Sequence, residues 1–146
     1  MELSKSNSMK KIKFASILFL MMIGCAITSC SSKLEPSQEL YSFLEEAKSQ
    51  LPINLDVVTT LRNVFFEGDF FVYEYDMNVD ESAFDENALN LKTSLKKNLE
   101  YQSTNGDEKF KMFYSHIIAE GFGLSYRYNL KSGVVKNIDF GHDMLP

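Results

Sequence analysis

The chain has 146 residues, 45% of them hydrophobic, 24% charged and 13% aromatic, with 7 Gly, 3 Pro and a net charge of −5. That balance excludes a disordered or low-complexity chain and suits one folded domain of ordinary size. The first thirty residues hold four lysines and one glutamate, so the remainder carries 11 basic and 19 acidic residues, a net of −8 that speaks against nucleic acid as a partner.

The N-terminal stretch divides into three zones. Met9-Lys10-Lys11-Ile12-Lys13 is basic, residues 14–24 are an uncharged apolar run, and Ala26-Ile27-Thr28-Ser29-Cys30 is short and mostly small. This is the build of a secretory leader, whose apolar region runs to roughly 7–15 residues. Even residues 14–29 fall short of the roughly 20 that span a bilayer as a helix. Met9 is an alternative start to Met1, because residues 1–8 add nothing a leader needs.

Ile27-Thr28-Ser29-Cys30 resembles the lipobox of bacterial lipoproteins: a branched apolar residue, two small residues, then cysteine. Met22-Ile23-Gly24-Cys25 is a second match, with a less usual first residue and a shorter apolar run before it. The polar Ser31-Ser32-Lys33 favours the later one. The resemblance implies cleavage before Cys30, a diacylglyceryl thioether on its sulfur, and a partner in the membrane through that lipid anchor. Two or three acyl chains hold far more firmly than one. Ser31, rather than Asp, after the cysteine resembles the outer-membrane class. Both cysteines lie in this stretch, so the remainder has no pair to oxidise. The expected divisions are a signal peptide over residues 1–29, a lipidated tether over 30–36, one domain over 37–141 and a tail over 142–146.

Pro36 and Ser37 open a helix with Leu40, Phe43, Leu44, Ala47 and Leu51 at helical spacing, closed by Pro52. Residues 57–66 are β-branched and aromatic, and residues 70–79 alternate through Phe71, Tyr73, Tyr75, Met77 and Val79. With Glu67-Gly68-Asp69 between them they predict a hairpin. Asp80-Glu81-Ser82 starts a second helix whose stripe is Phe84, Ala88, Leu91, Leu95 and Leu99. Its acids come early and its lysines late, as the helix dipole favours. A polar loop follows over residues 103–107. A third helix over 107–120 turns Phe110, Phe113, Tyr114, Ile117 and Ile118 inward and is capped by Gly121. Residues 122–130 and 134–140 form a last hairpin around Lys131-Ser132-Gly133, and the tail is expected to fray. The order α-β-β-α-α-β-β predicts an α+β fold, an antiparallel sheet of about four strands with helices on one face.

The two hairpins echo each other. Phe71-x-Tyr73-x-Tyr75-x-Met77 and Leu124-x-Tyr126-x-Tyr128-x-Leu130 share a step and a pattern. Packing of two inner strands under one helical layer explains that, since cross-strand aromatic pairs contribute roughly 0.2–1 kcal/mol each. The sharper reading is an exposed tyrosine platform, and Tyr73, Tyr75, Tyr126, Tyr128 and Arg127 are the candidate interaction surface. Glu74 and Arg127 hold matching positions and are expected as neighbours on the solvent face. Arg62 and Arg127, the only arginines, read first as surface ion pairs and second as carboxylate anchors.

Catalytic and metal-binding patterns are sparse. Asp76-x-Asn78-x-Asp80 begins like a calcium loop, but Glu81 stands where the turn needs Gly and Asn87 where a bidentate Glu closes the site. His116 and His142 have no partner at ligand spacing. There is no Gly-x-Ser-x-Gly turn and no glycine-rich phosphate loop. The expectation is no enzyme, no metal and no cofactor. The mature part resembles the small lipoproteins of Bacteroides-like bacteria in size, leader and α+β pattern. It reads as a non-catalytic module that binds an envelope protein. The alternative is a carrier of a small hydrophobic or aromatic ligand in a cavity between sheet and helices.

Overall fold

The computed structural model describes residues 33–146, so the leader, the lipobox and Cys30 lie outside the described residues. Ser37 caps the first helix, α1 (Gln38–Ser49), by accepting from the Leu40 N–H at 3.2 Å, which satisfies one of the donors a helix start leaves free. A two-residue strand, β1 (Ile53–Asn54), leads to a turn that Asp56 closes by accepting from the Val58 and Thr59 N–H groups. Those bonds, the Val58 one foremost, hold the Asp56 carboxyl below the usual carboxylate range.

The expected hairpin follows as β2 (Thr59–Glu67) and β3 (Phe70–Met77), turning at Gly68 with φ +57°. Next come α2 (Glu81–Asn105) and α3 (Glu108–Ala119), then the second hairpin, β4 (Gly123–Leu130) and β5 (Val135–Phe140). Gly121, at φ +83°, ends α3 with paired bonds from its own N–H to Ile118 and from Phe122 N–H to Ile117. Ile117 and Phe122 are both fully buried beside it.

The fold is α+β, a single sheet in the order β1-β2-β3-β4-β5 with its core on the helix-covered face. Leu40, Leu44, Phe84, Leu99, Phe113, Tyr114 and Ile117 from the helices meet Val64, Phe71, Leu124, Tyr126, Tyr128, Ile138 and Phe140 from the strands. Among the described residues, no helix is long and apolar enough to cross a membrane.

The structure departs from the sequence reading in four places. The sheet has five strands and is mixed: β3 and β4 run parallel, with Phe70 opposite Gly123 and Met77 opposite Leu130. Alternation fixes which face a side chain takes and is blind to strand direction, while α2 and α3 together give ample length for a parallel crossover. Burial on both faces marks these two strands as central, since Val72 and Ser125, on the helix-free side, are 1% and 4% exposed. Second, α2 continues through residues 103–105, leaving Gly106 and Asp107 as the whole loop. Third, Leu34, assigned to the tether, packs on the core and lies over Gly121. Fourth, the tail is placed rather than frayed. His142–Met144 form a 3-10 turn, Leu145 packs on the core, and the Tyr114 hydroxyl donates to the Pro146 carbonyl at 3.1 Å.

Candidate functional site

The echoing tyrosines sit side by side on the two central strands. Tyr73 pairs with Tyr126 and Tyr75 with Tyr128 in the parallel register, so like residues face the same way at the same height. Their rings stack at 5.3 Å and 5.2 Å between centroids, each pair tilted by 16°, with Tyr75 and Tyr126 stacked at 6.4 Å between them. Phe84 from α2 closes on Tyr128 at 5.4 Å and Phe140 meets Tyr126 edge-on.

Tyr75, Tyr126 and Tyr128 are buried and Tyr73 is half-buried, so the exposed platform is corrected to an interior stack. Burial pushes the phenols up, Tyr75 to about 12 and Tyr73, Tyr126 and Tyr128 further, because a phenolate has no water to solvate it there. Tyr73 is the boundary member. Its ring belongs to the stack and also lines an open groove.

That groove has a volume of about 250 Å³. It lies where α1 ends and α3 begins, over β1, β2 and the near half of β3. Phe43, Phe71, Tyr73, Phe110 and Phe113 give it aromatic walls, and Ala47, Leu51, Ile53, Leu61 and Val64 complete them. Edge-to-face contacts of Phe113 with Phe71 at 4.9 Å and with Phe43 at 5.8 Å hold the rings in place. Its polar lining comes from Lys109, which pairs with Glu46, from Gln50 and Asp107, and from the Tyr73 phenol. Asp107 is held as the α3 cap, accepting from the Phe110 N–H at 2.7 Å. The site therefore offers mainly apolar surface. A hollow of about 490 Å³ between α2 and the C-terminal turn is more mixed, lined by Lys92, Lys96, Glu100 and Asp143 beside Phe140 and Leu145.

Ser37, Glu120 and His116 form the nearest thing to a catalytic grouping, and the geometry argues against it. The Ser37 hydroxyl donates to Glu120 Oε1 at 2.6 Å and its N–H to Oε2 at 2.8 Å, while His116 Nδ1 lies 3.4 Å from Oε1. The carboxylate stands between serine and imidazole, so the histidine has no path to the hydroxyl proton. The hydroxyl oxygen is already engaged with Leu40 N–H. Partial burial raises the Glu120 carboxyl, but the Ser37 bonds and His116 outweigh that and leave it below the usual range. The cluster ties the start of α1 to the end of α3, and sequence reading missed it because the two residues lie 83 positions apart.

On the helix-free face Glu74 and Arg127 are register partners, as expected. Arg127 pairs instead with Glu67 and lies 5.3 Å over the Phe65 ring, and Arg62 pairs with Asp76 at 3.4 Å. Both arginines are thus occupied in surface ion pairs, of the kind worth about 0–1 kcal/mol. Arg127 does not join the tyrosines, which point to the opposite face. Asp76 is paired with Arg62, and Asp80 with Lys131 at 3.6 Å. Among the described residues, no group of three His, Cys, Asp or Glu is placed to hold a metal.

The fold has a solved counterpart. A Pseudomonas aeruginosa protein inferred to be secreted matches with a TM-score of 0.55 at 12% identity, over 73% of this chain and 96% of that one. A type II secretion system pilotin from Vibrio cholerae is similar at a TM-score of 0.41 and 15% identity, over 72% of this chain and 87% of that chain. No family model and no curated protein matches the chain. The likeness to lipoproteins of Bacteroides-like bacteria rests on the sequence alone.

Proposed function

We propose that this protein is a cell-envelope lipoprotein, acylated at Cys30 and anchored in the outer membrane, whose folded domain is a non-catalytic protein-interaction module. The observation that carries the reading is the open, aromatic-walled groove at the ends of α1 and α3. It is walled by apolar side chains and rimmed by an ion pair, the composition of a pocket that receives an anchor side chain from a partner protein. An exported address also agrees with the compartment inferred for the Pseudomonas protein that shares the fold.

The test places a photo-cross-linking side chain at Gln50, on the groove rim, in cells making the full protein. A discrete adduct with one envelope protein is expected from Gln50 and not from Glu74 on the helix-free face. Filling the groove with Ala47→Trp, or charging it with Leu51→Lys, should abolish the adduct while the domain stays folded by circular dichroism. Equal adducts from Gln50 and Glu74, indifferent to groove filling, would refute the site. In parallel, Cys30→Ser should release the protein from sedimented membranes, and retention would refute the anchor.

A carrier of a small aromatic ligand is the second reading, and the five aromatic walls favour it. Size weighs against it: small-ligand sites commonly enclose about 300–1,000 Å³ and bury most of the ligand, whereas this groove is smaller and open. Native mass spectrometry on the purified protein separates the two, since a carrier retains a bound metabolite.

A further inference from the structure

We infer that the groove selects its partner through the Tyr73 hydroxyl, and that the anchor it takes is a tryptophan or tyrosine side chain of the partner protein, a ring with a hydrogen-bonding group on its edge. This deepens the interaction reading above and rests on it. The first observation is that the hydroxyl is free. Among the described residues it has no hydrogen-bond partner, whereas the Tyr114 hydroxyl donates to the Pro146 carbonyl. Among the same residues no fully buried side-chain N or O atom lacks a partner, so the unbonded hydroxyl of half-buried Tyr73 reaches open space. Of the four stacked tyrosines only Tyr73 lines the groove, and the groove is the open space beside it.

The second observation is that the ring is held. Tyr126 stacks on it at 5.3 Å and Phe71 meets it edge-on at 5.1 Å. The hydroxyl is therefore placed before any partner arrives, and little freedom is lost on binding. Burial pushes the phenol well above its ordinary range, so the group stays protonated and can both donate and accept.

The third observation is the rest of the lining, which rejects the other anchors in turn. Lys109 is the cation of the lining and is already paired with Glu46, so an anionic side chain finds no counter-charge. A cationic one would give up water for aromatic walls whose attraction at exposed sites is worth only about two- to five-fold in affinity, and Asp107 is taken up as the α3 cap. Leucine or phenylalanine suits the walls but covers the hydroxyl and leaves it with neither water nor partner, a loss larger than the gain from one hydrogen bond. Tryptophan and tyrosine satisfy both demands. Their rings pack edge-to-face or offset against half-buried Phe43 and Phe110, and their N–H or O–H meets the Tyr73 hydroxyl. The groove is open and too small to enclose a free ligand, so the ring arrives on a partner chain.

Fluorescence anisotropy on the full chain tests this with end-labelled seven-residue glycine-serine peptides whose central residue is tyrosine, phenylalanine, tryptophan, 1-methyltryptophan or arginine. Within each aromatic pair the two probes differ by one hydrogen-bonding group. Tyrosine should bind more tightly than phenylalanine, and tryptophan more tightly than its methylated form, by about three- to ten-fold, the worth of one neutral hydrogen bond. Tyr73→Phe keeps the ring and should erase both differences, and Ala47→Trp should abolish binding of every peptide. Equal affinities within both pairs in the native chain overturn the inference, and that comparison needs no variant to fold. Differences that persist in Tyr73→Phe overturn it as well, as do tightest binding by the arginine peptide and no binding by any. An aromatic metabolite retained through purification in native mass spectrometry would assign the hydroxyl to a small ligand and also overturns it. The Gln50 cross-link decides the broader reading independently, since a partner held in the groove by an apolar anchor would give the adduct while failing the paired comparison.

Discussion

Raising the pH tests whether the tyrosine stack is sealed. Tyr75 is 9% exposed and its phenol is pushed up to about 12, against about 10 in an unfolded chain, because burial denies the phenolate its water. Below pH 10 both states are neutral at this ring and its contribution is intact. Above pH 10 the unfolded chain ionises first, so stability falls as pH rises toward the folded value. A gap of that size is worth about 3 kcal/mol for one ring, at about 1.4 kcal/mol per unit. Tyr73, Tyr126 and Tyr128 are raised in the same direction. They therefore add to the same alkaline loss, against a total of roughly 5–15 kcal/mol that holds a domain folded. The expected outcome is one cooperative alkaline transition between about pH 10 and 12, in which rings ionise because the domain opens. The assay follows tyrosinate absorbance and far-ultraviolet circular dichroism together, with Tyr41→Phe and Tyr101→Phe removing the two most exposed rings from the signal. If absorbance climbs through pH 10 while the dichroism stays native, water reaches the stack and the interior assignment is wrong.

Three further outcomes follow from local geometry. Gly123→Ala should be severe, costing more than about 2 kcal/mol in urea unfolding, because the added carbon would stand 2.6 Å from the Phe140 carbonyl oxygen and 2.7 Å from the Phe70 ring. Gly68→Ala should cost only about 1 kcal/mol, since that turn has open space and the penalty is its φ of +57° alone; equal losses at the two glycines would show the close approach is not real. Ser37→Ala should cost about 1 kcal/mol as a lost cap. It should also shift the acid limb, because the Glu120 carboxyl is held low and its contribution, present above the ordinary carboxylate range, is lost as pH falls through the folded value. An unchanged acid midpoint in that variant would mean Ser37 does not stabilise the carboxylate.

The sequence was most informative where periodicity and turn chemistry act locally. Gly68, Gly121 and Gly133 all take positive φ at the turns and cap where the pattern put them. The Phe71 and Leu124 echoes present equivalent faces to one helical layer, as the packing account expected, and are also neighbours in register. Strand direction was illegible because a parallel and an antiparallel pair present the same alternation. The Ser37–Glu120 tie and the Leu34–Gly121 contact were illegible because they join distant segments through polar or single apolar residues that carry no period. The groove beside Tyr73 was illegible as well. Its walls come from five elements, and no stretch of sequence announces a gap between them.

The groove has a cause in the sequence all the same. Pro52 stops α1 from continuing, and Gly106-Asp107 starts α3 only one turn before Phe110. Both helices therefore end over the same part of the sheet, between Leu61 and Tyr73, and the helical layer is thin there. Farther along the same face α2 runs for 25 residues and Phe84 seals Tyr128. The two ends of one aromatic row thus meet different fates: Tyr128 is closed under a long helix and Tyr73 opens at the mouth of a short one. A binding surface arises on this fold where the helices stop, without any residue of unusual chemistry. For that reason a scan for catalytic motifs passes over it, while the positions of a proline and a cap define it.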